Sequence, residues 1–79
     1  MKAIVYGKDN CMYCVLAKSL LEDRGVEFEE IDAPTHLPEM MAAIKAAGST
    51  PPRTVPQIFL EGKHIGGYSE LARLFRVQT

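Results

Sequence analysis

The sequence predicts an α/β fold in which a mixed four-stranded sheet is covered by three helices. Short runs rich in β-branched and aromatic residues alternate with stretches whose apolar residues recur every three or four positions. Gly and Pro residues separate these runs from one another. The elements follow in the order β-α-β-α-β-β-α along 79 residues, a length that fits one domain spanning residues 1–79.

The first three elements form a β-α-β unit. Residues 2–6 are predicted to form a strand, and residues 27–31 a second one. Between them a helix is predicted from an N-cap at Asn10 to about Arg24, with Gly25 as its C-cap. The crossover should be right-handed, which makes the two strands parallel. The residues expected on the apolar side of this helix are Tyr13, Leu16, Ala17, Leu20 and Leu21.

The second half of the chain contributes two helices and an antiparallel hairpin. The elements predicted there are a helix over 38–47, a strand over 57–60, a short strand near 64–65 and a helix over 69–75. Gly66 and Gly67 are expected to break the chain, and Ser69 to cap the last helix. The side chains expected to face the core from the two helices are Leu37, Met40, Met41, Ile44, Ala47, Leu71, Leu74 and Phe75. The whole arrangement is that of the thioredoxin-type proteins.

The composition argues against several classes of function. Nine Lys and Arg residues against ten Asp and Glu residues leave a net charge of -1, without the positive patch that binding to nucleic acid or anionic membranes requires. No apolar stretch approaches the ~20 residues that span a bilayer, and the N-terminus does not resemble a signal peptide. We therefore expect a cytoplasmic protein without nucleic-acid or membrane partners.

The two cysteines, Cys11 and Cys14, carry the first functional information. A disulfide between residues so close in sequence restricts the unfolded chain very little, so stability is not its purpose. In a reducing compartment, a cysteine pair is typically catalytic, redox-sensing or metal-binding. As a zinc site the pair would need two further ligands, and the candidates His36 and His64 lie in separate loops without zinc-site spacing. We therefore expect no metal.

The cysteine pair follows a predicted strand and opens a predicted helix. Free backbone N–H groups and the positive end of the helix dipole favour a thiolate there. An ordinary thiol with a pKa near 8.5 is about 3% ionised at pH 7, whereas helix-start C-x-x-C cysteines have values of roughly 3.5–7.5. Lys8 is the cation available nearby. Our hypothesis is that Cys11 is the nucleophile and that Cys14, one turn later and more shielded, is the resolving thiol.

Three separated segments resemble the dithiol glutaredoxins: KDNCMYC at 8–14, RTVPQIF at 53–59 and IGGYSEL at 65–71. The resemblance covers nearly the whole chain. It implies a glutathione-dependent oxidoreductase that reduces protein disulfides and glutathione mixed disulfides. The small size is similar to that of bacterial and phage members that donate electrons to ribonucleotide reductase. We expect such a protein to be a monomer.

The resemblance also implies a glutathione site. Pro56 would be a cis-proline, and Val55 would pair through its backbone with the cysteine portion of glutathione. Lys8 and Arg53, with the Tyr13 ring, would hold the glycine carboxylate. Ser69 would receive the γ-glutamyl carboxylate at a helix N-terminus, a ready anion site. The full implied set is Lys8, Tyr13, Arg53, Thr54, Val55, Pro56, Gly67, Tyr68 and Ser69, with Gly66 allowing close approach.

The sequence departs from the common family pattern at two positions. Met12 stands where Pro is usual, which adds an N–H to the first turn and alters the redox poise. Glu70 stands where Asp is common, which lengthens the arm that carries the charge. Two alternatives remain open: a glutaredoxin-like protein reduced by thioredoxin reductase, and a binding module whose thiolate and glutathione hold a [2Fe–2S] cluster.

Overall fold

The computed structural model describes residues 1–50 and 54–77. The order of its elements confirms the predicted β-α-β-α-β-β-α arrangement. The elements are β1 (Lys2–Gly7), α1 (Met12–Asp23), β2 (Glu27–Asp32), α2 (Leu37–Ala46), β3 (Gln57–Leu60), β4 (Lys63–Gly66) and α3 (Tyr68–Val77).

The four strands form one mixed sheet in the order β2-β1-β3-β4. Strands β1 and β2 are parallel, whereas β3 runs antiparallel to both β1 and β4. Tyr6, near the end of β1, is therefore opposite Gln57, the first residue of β3. As a consequence, the loop after β1 and the segment before β3 meet at one edge of the sheet, and these carry Cys11 and Pro56 respectively.

The core consists of two clusters, one on each face of the sheet. Alternate residues of β1 supply both, because successive side chains of a strand point to opposite faces. Val5 packs with α1 and α3, whereas Tyr6 packs with α2. Strand β3 is buried along its whole length, as expected for a strand with a neighbour on each side. The buried members of the first cluster are Ala3, Val5, Ala17, Leu21, Val26, Ile58, Leu60, Leu71 and Phe75.

The face of α1 that packs on the sheet matches the predicted one at Ala17, Leu20 and Leu21 and differs from it at Tyr13 and Leu16. Tyr13 is 60% exposed and Leu16 is 37% exposed. The buried residues are Cys14, Ala17 and Leu21, at spacings of three and four. The helix is thus rotated so that Cys14 begins its inward line, and the Tyr13 ring lies instead against Tyr68, with the ring centroids 5.9 Å apart.

Helix α2 begins one residue earlier than predicted and ends one residue sooner. Its first turn accommodates Pro38, where a missing N–H costs no hydrogen bond. Met40 and Ile44 are fully buried, one turn apart. Leu37 and Ala47, expected to face the core, are exposed, because they lie at the two ends of a helix that contacts the sheet through its middle.

Helix α3 begins at Tyr68, so Ser69 lies inside its first turn and is not the cap. The capping position belongs to Gly67, whose carbonyl oxygen accepts from Leu71 N–H at 3.1 Å. The Glu70 carboxylate accepts from Gly67 N–H at 2.7 Å, which is the half of a capping box that an N3 glutamate supplies. Strand β4 also continues through Gly66, where a break was predicted.

The rotation of α1 can be tested with two leucines of that helix. Leu21→Ala should lower the free energy of unfolding by about 2–5 kcal/mol, because it leaves a cavity in the core. Leu16→Ala, the matched control, should change it by less than about 0.5 kcal/mol. Urea denaturation followed by circular dichroism measures both. A Leu16→Ala cost as large as that of Leu21→Ala would contradict the observed face.

Candidate active site

The loop between β1 and α1 places a cysteine sulfur at the start of the helix. Asn10, the predicted N-cap, has a φ of 57°, a left-handed conformation that Asn tolerates better than most residues. The chain therefore turns one residue later, and Cys11 is the N-cap, with φ -120° and ψ 105°. Its Sγ atom accepts a hydrogen bond from Cys14 N–H at 3.2 Å. The sulfur thus fills the role that a Ser or Asp oxygen fills in most helices.

The two cysteines form a disulfide and differ in exposure. Their Cα atoms are 5.2 Å apart. Cys11 is half-buried and faces the surface, whereas Cys14 is 1% exposed. Cys11 Sγ also lies 4.0 Å from the carbonyl oxygen of Val55. The first sulfur is therefore the one that an incoming disulfide can reach.

Gly7 leaves the space that Cys14 needs. A Cβ atom on Gly7 would stand 3.2 Å from Cys14 Sγ and 3.3 Å from Glu30 Oε2. Glu30 is held there by Lys18, whose Nζ donates to both carboxylate oxygens at 3.0 Å. A side chain larger than hydrogen at position 7 would therefore push on the buried sulfur and on this ion pair together.

A cleft of about 160 Å³ lies beside Cys11, between α1, the segment before β3 and the start of α3. The peptide bond between Val55 and Pro56 is cis, as the resemblance implies. Apart from Glu70, every residue that lines the cleft belongs to the predicted glutathione set. The lining residues are Tyr13, Thr54, Val55, Pro56, Gly67, Tyr68, Ser69 and Glu70.

The predicted set has two other members, Lys8 and Arg53. Lys8 lines a separate groove on the far side of Cys11, together with Met12, Lys18 and Glu30. Its role in glutathione binding stays a prediction. Arg53 lies outside the described residues.

Sequence reasoning missed a polar network behind the cleft. Gln57 is 3% exposed, and its Nε2 donates to the carbonyl oxygen of Thr54 at 2.9 Å. His64 Nε2 lies 2.7 Å from Gln57 Oε1, and His64 Nδ1 lies 3.1 Å from Ser49 Oγ. The available signal was a Gln that opens an otherwise apolar strand. Burial lowers the pKa of His64 below its usual value, and the nearby Glu70 charge opposes this in smaller part.

Residues 1–50 and 54–77 offer neither a metal site nor a membrane-spanning helix. They contain no group of three or more His, Cys, Asp or Glu side chains arranged to hold a metal ion. None of their helices has the length and apolar character needed to cross a membrane.

Known proteins resemble the chain over most of its length. The glutaredoxin family model matches residues 3–65. Glutaredoxin 3 of Escherichia coli is 41% identical over 70 residues, which cover 89% of this chain and 81% of that protein. A glutaredoxin of Pseudomonas aeruginosa is 43% identical over 74 residues, or 92% of this chain and 83% of that protein. The crystal structure of a buckwheat glutaredoxin–glutathione complex matches with a TM-score of 0.79 at 29% identity, covering 96% of this chain and 69% of that one.

The close approach at Gly7 predicts a specific coupling. Gly7→Ala should lower the free energy of unfolding of the reduced protein by about 1–3 kcal/mol, because the new methyl group overpacks against Cys14. In a Cys14→Ala background the sulfur is gone, so the same substitution should cost clearly less. Urea denaturation of the four proteins measures the coupling. Equal costs in both backgrounds would show that Cys14 Sγ does not fill this space.

The pKa of His64 predicts a pH dependence of stability. Because burial lowers it, the folded protein disfavours the protonated ring. The stabilisation that this network gives is therefore complete above pH ~6.5 and is lost as the pH falls through the lowered pKa of the folded protein. Urea denaturation at pH values from ~6.5 downward should show that the free energy of unfolding declines as the pH falls. The decline should be smaller in His64→Phe. His36→Phe, which removes the exposed histidine, is the matched control. An equal decline in His64→Phe would contradict the assignment.

Proposed function

We propose that this chain, which belongs to the glutaredoxin family and is a thiol–disulfide oxidoreductase, takes its electrons from glutathione. The observation that carries this proposal is the position of the cleft. Its walls include Thr54 and Val55, and the Val55 carbonyl oxygen lies 4.0 Å from Cys11 Sγ. A tripeptide whose cysteine sulfur reaches Cys11 would find its backbone beside an extended segment of this chain.

The proposed reaction starts at Cys11. Its thiolate bonds to one sulfur of a substrate disulfide, the substrate S–S bond breaks, and one substrate thiolate leaves. Cys14 then loses its proton and attacks Cys11 Sγ. The bond between Cys11 and the substrate breaks, the second substrate thiolate leaves, and the Cys11–Cys14 disulfide remains. Two electrons have passed from the cysteine pair to the substrate.

Glutathione completes the proposed cycle. One glutathione thiolate opens the Cys11–Cys14 disulfide by bonding to Cys11, which leaves Cys14 reduced. A second glutathione thiolate attacks the glutathione sulfur of this mixed disulfide. Oxidised glutathione leaves, and Cys11 returns to the thiolate. The Cys14 N–H bond to Cys11 Sγ supports this step, because a donor aimed at the sulfur stabilises the charge that returns to it.

The cleft offers a chemically suitable position for the γ-glutamyl part of glutathione. The N-terminus of α3, at Tyr68 and Ser69, suits the γ-glutamyl carboxylate. The Tyr13 and Tyr68 rings, 5.9 Å apart, give one wall an apolar surface. Support also comes from the buckwheat relative, which was crystallised as a glutathione complex.

The physiological acceptors proposed for the reduced form are proteins that carry disulfides or glutathione mixed disulfides. Ribonucleotide reductase is proposed among them, on the resemblance to small bacterial and phage members. We place this chemistry in the cytoplasm, where a cysteine pair is kept reduced. In these reactions glutathione is a substrate, and no metal is invoked.

A coupled assay tests the proposal. The protein is mixed with a small glutathione mixed disulfide, glutathione, glutathione reductase and NADPH, and NADPH oxidation is followed. Cys11→Ser should abolish turnover. Cys14→Ser should retain it for this substrate, because glutathione itself can resolve the Cys11 mixed disulfide, and should lose turnover with a protein disulfide.

Two outcomes would contradict the proposal. Turnover that depends on thioredoxin reductase and ignores glutathione would favour the first alternative. A brown protein with visible absorption after anaerobic purification, inactive in the coupled assay, would favour the cluster-binding alternative.

A further inference from the structure

A bridge of hydrogen bonds connects the two ends of the loop between α2 and β3. Ser49 lies near the start of the loop, three residues after the end of α2, and its N–H donates to the Ile44 carbonyl oxygen at 3.1 Å. Thr54 stands at the other end, next to Val55 of the cleft. Gln57 on β3 and His64 on β4 connect these two ends through their side chains.

The donors and acceptors in this bridge follow from elementary chemistry. A carbonyl oxygen can only accept, so the group of Gln57 that bonds to Thr54 O at 2.9 Å is the amide nitrogen. Gln57 Oε1 must then accept, which places a proton on His64 Nε2. In the neutral ring His64 Nδ1 has a free lone pair, so the Ser49 hydroxyl donates to it. Every bond therefore runs in one direction, from Ser49 through His64 and Gln57 to Thr54.

The middle of the bridge, at Gln57, is shielded from solvent, whereas Thr54 at its end is exposed, so the costly bonds to break are those of Gln57. The polar side chain of Gln57 is only 3% exposed. The His64 ring is half-buried and lies against Phe59, with the ring centroids 5.1 Å apart. A buried donor or acceptor left without a partner loses its hydration and gains nothing in return. The network therefore favours a single position for the Thr54 carbonyl.

That carbonyl sits at the start of the segment that lines the cleft. The Gln57 amide spans from position 57 back to position 54, and so encloses Val55 and the cis Pro56 between its two ends. The same amide nitrogen lies 3.3 Å from Thr54 Oγ1, which adds a second contact to the same residue. Ser49, Gln57 and His64 themselves do not line the cleft.

We propose that Ser49, Gln57 and His64 are positioning residues that hold the Thr54–Val55 backbone in place for the peptide part of glutathione. The inference rests on the proposed function, since it requires glutathione in this cleft. Their effect should be specific. Loosening the bridge should weaken the bond of Cys11 to glutathione relative to a thiol that has no peptide groups, and should leave the intrinsic reactivity of the sulfur in place.

An exchange equilibrium measures this preference directly. In a Cys14→Ser background, the mixed disulfide of Cys11 with glutathione is equilibrated with 2-mercaptoethanol. The mercaptoethanol sulfur takes the place of the glutathione sulfur on Cys11, and reduced glutathione leaves, so no outside oxidant is needed. Mass spectrometry gives the ratio of the two adducts. We expect the parent to favour glutathione, and His64→Phe, which keeps a ring against Phe59, to lower that preference about five- to tenfold.

Three further variants give the effect its structural meaning. Ser49→Ala removes the outermost bond alone and should lower the preference about twofold. His64→Gln keeps a donor for Gln57 and should recover part of the loss caused by His64→Phe. His36→Phe removes the other histidine, which is exposed and bonds within the turn at Asp32 and Thr35, and should change nothing.

The outcomes separate the inference from the proposed function. A parent protein without any preference for glutathione would overturn both. A parent preference that His64→Phe and Ser49→Ala keep in full, with native circular dichroism, would overturn the inference alone. So would an equal loss of Cys11 reactivity toward 2-hydroxyethyl disulfide, because a general defect is not one of positioning. If His64→Phe does not fold, a twofold loss in Ser49→Ala supports the inference and an unchanged ratio overturns it.

Discussion

The hydrogen bond from Cys14 N–H to Cys11 Sγ is the contact on which the candidate site depends. It makes a sulfur atom the cap of α1, in place of the oxygen that most helices use. The cap exists because Asn10 turns the chain in a left-handed conformation and because Gly7 leaves room for Cys14. Cys11 Sγ is therefore both the cap of α1 and the atom that takes part in the redox chemistry.

The sheet topology supplies the second half of the site. Antiparallel pairing of β1 with β3 places the end of one strand beside the start of the other. The reactive sulfur and the Val55 backbone thus come from segments distant in sequence. The first segment follows β1 and the second precedes β3, the two central strands of the sheet. In our proposal, the Gln57–His64 network then holds the Thr54–Val55 backbone in place beside that sulfur.

The order of elements and the mixed sheet could be predicted from periodicity and from the glycines and prolines between elements, because these signals act locally. The residues that line the cleft were implied by the family resemblance. Sequence reasoning failed where tertiary packing decides. The apolar stripe of α1 was predicted to include Tyr13 and Leu16, whereas packing against the sheet and α3 buries Cys14 and leaves Leu16 exposed. Ser69 looked like a cap, but the Glu70 carboxylate stabilises an earlier start at Gly67. The partners of Gln57 depend on a hairpin and a helix end that no single stretch of sequence brings together.

The outer strand β2 has a consequence for how copies of the chain meet in solution. It lies at the border of the sheet, and Glu27 and Glu29 are exposed along it, whereas the Glu30 carboxylate is paired with Lys18. An unpaired strand border can template the addition of a foreign strand, and fibrous aggregates grow in this way. Here two such borders would approach each other with like charges, and their repulsion opposes the contact. The same acidic residues that look unremarkable in the fold thus protect it from self-association through β2.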